Sequence, residues 1–375
     1  MLKSNKINIT GYIEGYYGKL LSWEERKKIL KTLADCNLTN YFFAPKAEPF
    51  HRKFWRELPP KSFSIAFGEF CDCAKKLEIS TIAGISPGID FDFIGSNKQI
   101  DFQFLLRKVR YFLDHGVDHL ALLIDDVDDR VTRSGSTLSE GHVHASLANR
   151  LAQELGTKIF VVPRVYADEI ARSSPDYLKA FISELDIRNV LIYSGKEIVS
   201  NKIPEGVSPL MEKLDWRGDL VVWDNFYAND YCPRRLFVGP WLGRDYIRNI
   251  LINPTGLVQT DQLLLKIYGS STGNVKDGNW KNIIKQSGIP EEFFIVAKHF
   301  YNPFNRVPKI TSTVEKKYLS ALDILLWEWI EPLALEWFNF FQGMRQDILT
   351  LNGTMSTKRI RRIQSGVLAP RLIKS

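Results

Sequence analysis

The residues with the clearest chemical potential are Asp125 and Asp126, which close the run LALLIDDVDDR at 120–130. Apolar residues carry a strand through a core, and then two acids appear at its end. Side chains alternate faces along a strand, so adjacent acids cannot share a face unless the chain turns or bulges there. Such a turn sends one carboxylate inward and the other to the rim. Two like charges this close disfavour double ionisation. One group then serves as base or orienter and the other as proton donor. Taken alone, the dipeptide also fits a helix cap, a loop acid or a magnesium ligand. Asp128 and Asp129 read as loop or capping acids.

Other polar residues sit at the ends of apolar runs: Lys46, Arg164, Tyr166, Lys196, Asn225, Asp230 and Asn253. Carboxylate, amide and hydroxyl groups converging on one rim suit sugar recognition. They suit a metal poorly, because no His pair lies among them. The reading therefore implies no metal and no organic cofactor.

Eight runs would have to position these groups: 7–15, 39–45, 80–87, 119–126, 158–163, 189–194, 219–225 and 248–254. They are rich in Val, Ile, Leu, Tyr and Phe and bounded by turn formers. Amphipathic helices alternate with them at 22–36, 63–78, 104–116, 144–156, 175–186 and 207–215. Ser22 and Glu25 mark the first helix start. Eight such units predict an α/β fold, a closed (β/α)8 TIM barrel whose active site lies at the C-terminal strand ends. Gly15-Tyr16-Tyr17-Gly18 after the first strand does not fit the phosphate turn of an open dinucleotide-binding sheet.

The strand pattern stops near residue 270. Helices are expected over 279–302 and 315–350, broken at Pro332, with a linker at 305–314. The expected domains are a catalytic barrel at 1–270, a smaller C-terminal helical subdomain at 271–353 and a basic, flexible tail at 354–375. The aromatic surface of the C-terminal helices could instead pair chains into a homo-oligomer.

Composition is that of an ordinary globular protein, 45% hydrophobic and 25% charged. The 23 Phe, 14 Tyr and 9 Trp serve either a large core or a sugar-stacking cleft. The net charge of +7 misleads, because Lys358, Arg359, Arg361, Arg362, Arg371 and Lys374 lie in the tail without an acid. Setting those six aside leaves 44 basic groups against 43 acidic, so the body is not a nucleic-acid-binding surface. Cys36, Cys71, Cys73 and Cys232 do not complete a zinc pattern and read as reduced thiols. The first residues show no secretory pattern and no window is long and apolar enough to span a bilayer. A cytoplasmic location without membrane partners is the expectation.

Seven blocks in order resemble glycoside hydrolase family 84, the O-GlcNAcase and bacterial β-N-acetylglucosaminidase family, over residues 9–268. They are GYIEGYYG at 11–18, NYFFAPK at 40–46, HRKFWRE at 51–57, ISPGIDF at 85–91, ALLIDDVD at 121–128, VVWDNFYANDY at 221–231 and ILINP at 250–254. The resemblance implies substrate-assisted, retaining hydrolysis of a β-linked N-acetylglucosamine conjugate through an oxazoline. It implies that Asp125 orients the acetamido N–H and that Asp126 is the general acid and then the general base. It further implies that the Gly11 backbone and Lys46, Asn225, Asp230 and Asn253 hold the sugar, while Tyr166 closes on the acetamido group.

For several residues a structural role competes. Asn253 could cap the turn before Pro254, and Asp230 could pair with Arg234 or Arg235. Trp223 reads as core, Glu14 as a buried partner for a basic residue, and His51 and His144 as structural. The chain also departs from the family pattern at Ala47-Glu48, at Val162-Pro163-Arg164-Val165-Tyr166 and at Tyr193-Ser194-Gly195-Lys196. Arg164 and Lys196 there suggest an acidic neighbour on the leaving-group side. Two other classes compete with an enzyme: a catalytically silent glycan-binding protein, and a scaffold using the C-terminal helices and tail.

Overall fold

Eight short parallel strands close on themselves in the computed structural model, which describes residues 8–127, 139–272, 279–304 and 311–351. They are β1 (Thr10–Glu14), β2 (Asn40–Phe43), β3 (Ser80–Ile85), β4 (His119–Leu123), β5 (Phe160–Val162), β6 (Val190–Tyr193), β7 (Leu220–Asp224) and β8 (Ile250–Ile252). Each pairs with the next, and β8 returns to β1 with Ile252 opposite Tyr12. All eight positions expected from the apolar runs are occupied by strands. A parallel barrel buries both strand faces, and every residue of β1, β2, β5, β6 and β8 is buried. Ile13, Phe42, Ile82, Leu123, Ile192 and Leu251 belong to the inner cluster.

The intervening helices are α1 (Trp23–Asp35), α2 (Lys61–Lys76), α3 (Lys98–Asp114), α4 (Glu140–Leu155), α5 (Asp168–Ala171), α6 (Tyr177–Glu184) and α7 (Pro209–Leu214). The Ser22 and Glu25 capping box opens α1. Helix α3 starts six residues before its apolar pattern does. Its first turn is exposed, so no buried periodicity marks it, and only Asp101 within it is drawn inward, accepting the Asp92 N–H at 2.8 Å.

The chain divides into two compact units, 1–225 with 243–253, and 226–242 with 254–375. The second begins earlier than the expected boundary at 270 and takes in the segment between β7 and β8. Hydrogen bonds within it account for this: Val238 N–H donates to Phe300 O at 2.7 Å and Trp280 Nε1 to Val238 O at 2.7 Å. Its helices are α8 (Val258–Ser271), α9 (Trp280–Gln286), α10 (Phe293–Val296), α11 (Ser312–Trp327) and α12 (Pro332–Leu351). Glu336 of α12 accepts the Gln259 and Thr260 N–H groups, neutralising the first turn of α8. Pro332 does separate two helices. Residues 312–314, expected in the linker, belong to α11, where Thr311 caps Val314 N–H. The tail at 354–375 lies outside the described residues.

Inside the barrel unit, Glu14 ends β1 fully buried. Both its oxygens are held by Arg26 at 2.8 Å, and Tyr41 Oη donates to it at 2.7 Å. Glu14→Ala would leave the buried Arg26 cation unpaired, at a cost of about 3–5 kcal/mol. Urea unfolding of the variant should show that loss. A change below ~1 kcal/mol would mean that the pair contributes as little as an exposed one.

Candidate active site

Regular strand structure in β4 stops at Leu123, although Ile124 N–H still bonds Val162 O at 2.9 Å. The chain then turns, and Asp126 adopts φ +54°, a left-handed conformation in which Asp is among the better-tolerated residues. The turn separates the two acids as alternation requires: Asp125 is buried and Asp126 is exposed.

Lys46, just beyond β2, places Nζ 2.5 Å from Asp125 Oδ2. Both side chains are nearly inaccessible, at 1% and 8% exposure, so each charge requires the other. Asp125 Oδ1 remains a buried acceptor with no hydrogen-bond partner among the described residues. Buried polar atoms of this kind are scarce in folded proteins, and this one invites an N–H donor from a ligand.

Asp126 is held from several sides. Tyr17 Oη donates to its Oδ2 at 2.7 Å and Tyr166 Oη to its Oδ1 at 3.1 Å. Burial, then the charge on Asp126, raises both phenols well above their ordinary range, so both stay protonated donors. The charge on Asp125 adds a smaller rise at both phenols. The Tyr17 ring is half-exposed, but its hydroxyl is turned onto the acid.

A line of amides forms another part of this end of the barrel. Gly15 N–H donates to Asn253 Oδ1 at 3.2 Å, and Asn253 Nδ2 donates to Asn225 Oδ1 at 2.9 Å. Trp223 Nε1 donates to the same Asn225 oxygen at 2.9 Å, and Asn225 Nδ2 to Ile198 O at 2.9 Å. Gly15 N–H and the Trp223 indole can only donate, so both amide orientations are determined. Trp223 is otherwise core, meeting Phe42 edge-on at 5.8 Å. A Cβ on Gly15 would overlap the Trp223 ring.

Of the residues singled out in the sequence, Lys46, Asp125, Asp126, Tyr166, Asn225 and Asn253 all lie at or just beyond strand ends of the barrel unit. Gly11 does not. It is the second residue of β1, opposite Asn40, the first residue of β2. That lies about 13 Å of strand below Gly15. Its glycine is demanded by packing: φ is +150° and a Cβ would overlap Asn40 O. The glycine at the mouth is Gly15. Asp230 lies in the second unit, where its Oδ1 accepts the Tyr231 N–H at 2.9 Å. Asp128 and Asp129 lie outside the described residues.

Arg164 is not a free cation. Its guanidinium pairs with buried Glu140 at 2.5 Å and donates to Ser174 at 3.0 Å, so it supplies no net positive charge for an acidic ligand. Lys196 is exposed. The acidic leaving-group side expected from these two cations thus loses one of them. Two residues with no assigned chemistry in the sequence reading, Tyr17 and Arg52, do touch Asp126. Tyr17 could have been found by its place just past the end of β1. Among the described residues, no group of three His, Cys, Asp or Glu side chains is placed to hold a metal ion.

His51 and His144 are buried and hydrogen-bonded, to Gly84 O at 3.0 Å and to Tyr177 Oη at 2.9 Å. Burial lowers each to about 3, assisted by Lys46 at His51 and by Arg164 at His144. An unfolded histidine titrates near ~6.5. Falling pH therefore protonates the unfolded chain first. The stability tied to neutral burial is present above about pH 6.5 and is lost as pH falls towards 3, at about 1.4 kcal/mol per pH unit for each group. Replacing both with Gln should flatten this dependence in unfolding measured between pH 6.5 and 4. An unchanged slope would place the acid sensitivity elsewhere.

A family model described as beta-N-acetylglucosaminidase matches residues 10–285. The Protein O-GlcNAcases of Rattus norvegicus and Mus musculus are each 32% identical over 263 residues, 66% of this chain and 28% of theirs. The chain thus spans little more than a quarter of those relatives' length. The solved structure of CpGH84B shares the fold, with a TM-score of 0.74 at 21% identity, over 90% of this chain and 66% of that one.

Proposed function

The chain belongs to the β-N-acetylglucosaminidase family, and we propose that it removes terminal β-linked N-acetylglucosamine with retention of configuration, the substrate's own acetamido group acting as nucleophile. The observation that carries this reading is Asp125 Oδ1, a buried acceptor without a partner among the described residues, on a carboxylate anchored by Lys46.

In the first step the acetamido oxygen attacks the anomeric carbon and the glycosidic C–O bond breaks. The acetamido nitrogen becomes positive as the oxazoline ring closes. Its N–H donates to Asp125 Oδ1, whose negative charge stabilises that development most strongly in the transition state. Asp126 gives its proton to the departing oxygen. In the second step the Asp126 carboxylate takes a proton from water, which opens the oxazoline at the anomeric carbon and restores the β-configuration. A nucleophile already attached to the ring removes one entropy cost from the reaction.

Asn225, Asn253 and the Gly15 backbone offer fixed amide groups to the sugar and its N-acetyl arm. Tyr166, whose 3.1 Å bond to Asp126 is the longer of the two phenol contacts, can turn to the acetamido group when the sugar enters. Side chains, substrate and water suffice for both steps.

The test compares an aryl β-N-acetylglucosaminide with the matched aryl β-glucoside, which lacks the acetamido nucleophile. The expected result is turnover of the first alone, with β-N-acetylglucosamine as the first product seen by NMR. Equal turnover of both would rule out the acetamido group as nucleophile. Tight sugar binding without turnover would support the silent binder instead.

A further inference from the structure

Arg52 reaches the candidate proton donor from another strand end. Its Nη2 donates to the Asp126 backbone carbonyl at 2.7 Å, and its Nη1 donates to Tyr17 Oη at 2.5 Å. Tyr17 passes the contact on to Asp126 Oδ2 at 2.7 Å. One planar guanidinium thus ties together the segments following β1, β2 and β4. Arg52 Nε is buried without a partner among the described residues.

The support beneath Arg52 is rigid. His51 bonds Gly84 O through its ring, and its own carbonyl accepts Ser86 N–H at 3.0 Å. Buried Lys108 of α3 holds the carbonyls of Phe50 and Glu57. Trp55 Nε1 bonds Asp90 at 2.7 Å. The backbone on both sides of Arg52 is therefore fixed to β3 and α3. Asp126, by contrast, stands exposed in a left-handed turn, and its carboxylate is held by the two phenols Tyr17 and Tyr166.

We infer that Arg52 is a positioning residue for proton transfer, setting the Asp126 carboxylate through its backbone carbonyl and through Tyr17. The inference rests on the proposed role of Asp126 as proton donor. In this role Arg52 acts through the Asp126 carbonyl and Tyr17 and performs no proton transfer itself. A lysine keeps the charge but cannot make both bonds from one rigid plane. A small misplacement of a catalytic group lowers the rate by about 10²-fold.

The experiment measures kcat and KM for wild type, Arg52→Lys and Tyr17→Phe, and for the double variant, over aryl β-N-acetylglucosaminides of graded leaving-group acidity. Thermal melting of each protein accompanies the kinetics. For Arg52→Lys the expected result is a kcat/KM loss of about 10²-fold on the poorest leaving group. That loss shrinks towards none on the best, whose departure needs no proton, while kcat there stays lowered because the Asp126 carboxylate must still activate water. The double variant loses less than the product of the single losses, because both act through one carboxylate. A kcat/KM loss equal across all leaving groups, or a loss that follows the melting temperature, overturns the positioning role while leaving the proposed hydrolysis intact. Multiplicative losses in the double variant overturn the route through Tyr17. A wild type that turns over none of the substrates overturns the proposed hydrolysis itself, and this inference with it.

Discussion

Asp126→Asn is expected to lower kcat/KM by about 10²–10⁴-fold for a conjugate with an alkoxide leaving group. For a strongly acidic phenol the loss in kcat/KM should be far smaller, because that oxygen departs without a proton. The fold should survive. Asp126 is exposed, asparagine tolerates the left-handed turn, and its Oδ1 can still accept from a phenol. The second step also suffers, since the variant cannot deprotonate water. With the acidic phenol, release should therefore show a burst followed by slow turnover. Added azide needs no deprotonation and should speed that slow phase. Equal losses across leaving groups, without a burst, would remove Asp126 from proton transfer.

Asp125→Asn should cost about 10²–10³-fold in kcat, the size of one preorganised electrostatic contact in a water-poor site. Here the loss should be similar for every leaving group that remains limited by ring closure, because the charge it stabilises is on the acetamido nitrogen. The same substitution leaves the Lys46 ammonium, whose side chain is 1% exposed, beside a neutral amide. Breaking one side of a buried pair costs about 3–5 kcal/mol. Adding Lys46→Met should recover much of that stability and none of the activity. If the pair of substitutions regains activity, Asp125 serves chiefly as a counter-ion to Lys46.

The barrel was legible because burial on both strand faces writes continuous apolar runs, and eight of them appear in order. The acids at the end of β4 were legible for a related reason, since charge directly after Leu123-Ile124 has nowhere to lie but a strand mouth. Less legible was anything set by contact between distant segments. The bond from Arg52 to Asp126 joins residues 74 apart and leaves no periodic trace. Arg164 reads as a free cation in the sequence, and only the packing of α4 shows Glu140 beside it. Gly11 and Gly15 occupy one motif and are indistinguishable by type. Their uses differ because one is crowded by Asn40 at the lower part of the barrel while the other meets Asn253 and Trp223 at its mouth. The exposed first turn of α3 hid its start, and the reach of the β7–β8 segment into the second unit had no local signal.

The central claim is that the N-acetyl oxygen attacks the anomeric carbon while Asp125 receives the neighbouring N–H. The most direct measurement is kcat/KM for aryl glucosaminides whose N-acetyl methyl carries zero, one, two or three fluorines. Each fluorine draws electron density from the carbonyl oxygen and weakens it as a nucleophile. A steep, monotonic fall across the series is expected, with a smaller absolute rate but a similar trend in Asp126→Asn on the acidic phenol. A flat series in the active wild type would contradict the account, because the bond to the anomeric carbon would then be made by some other group.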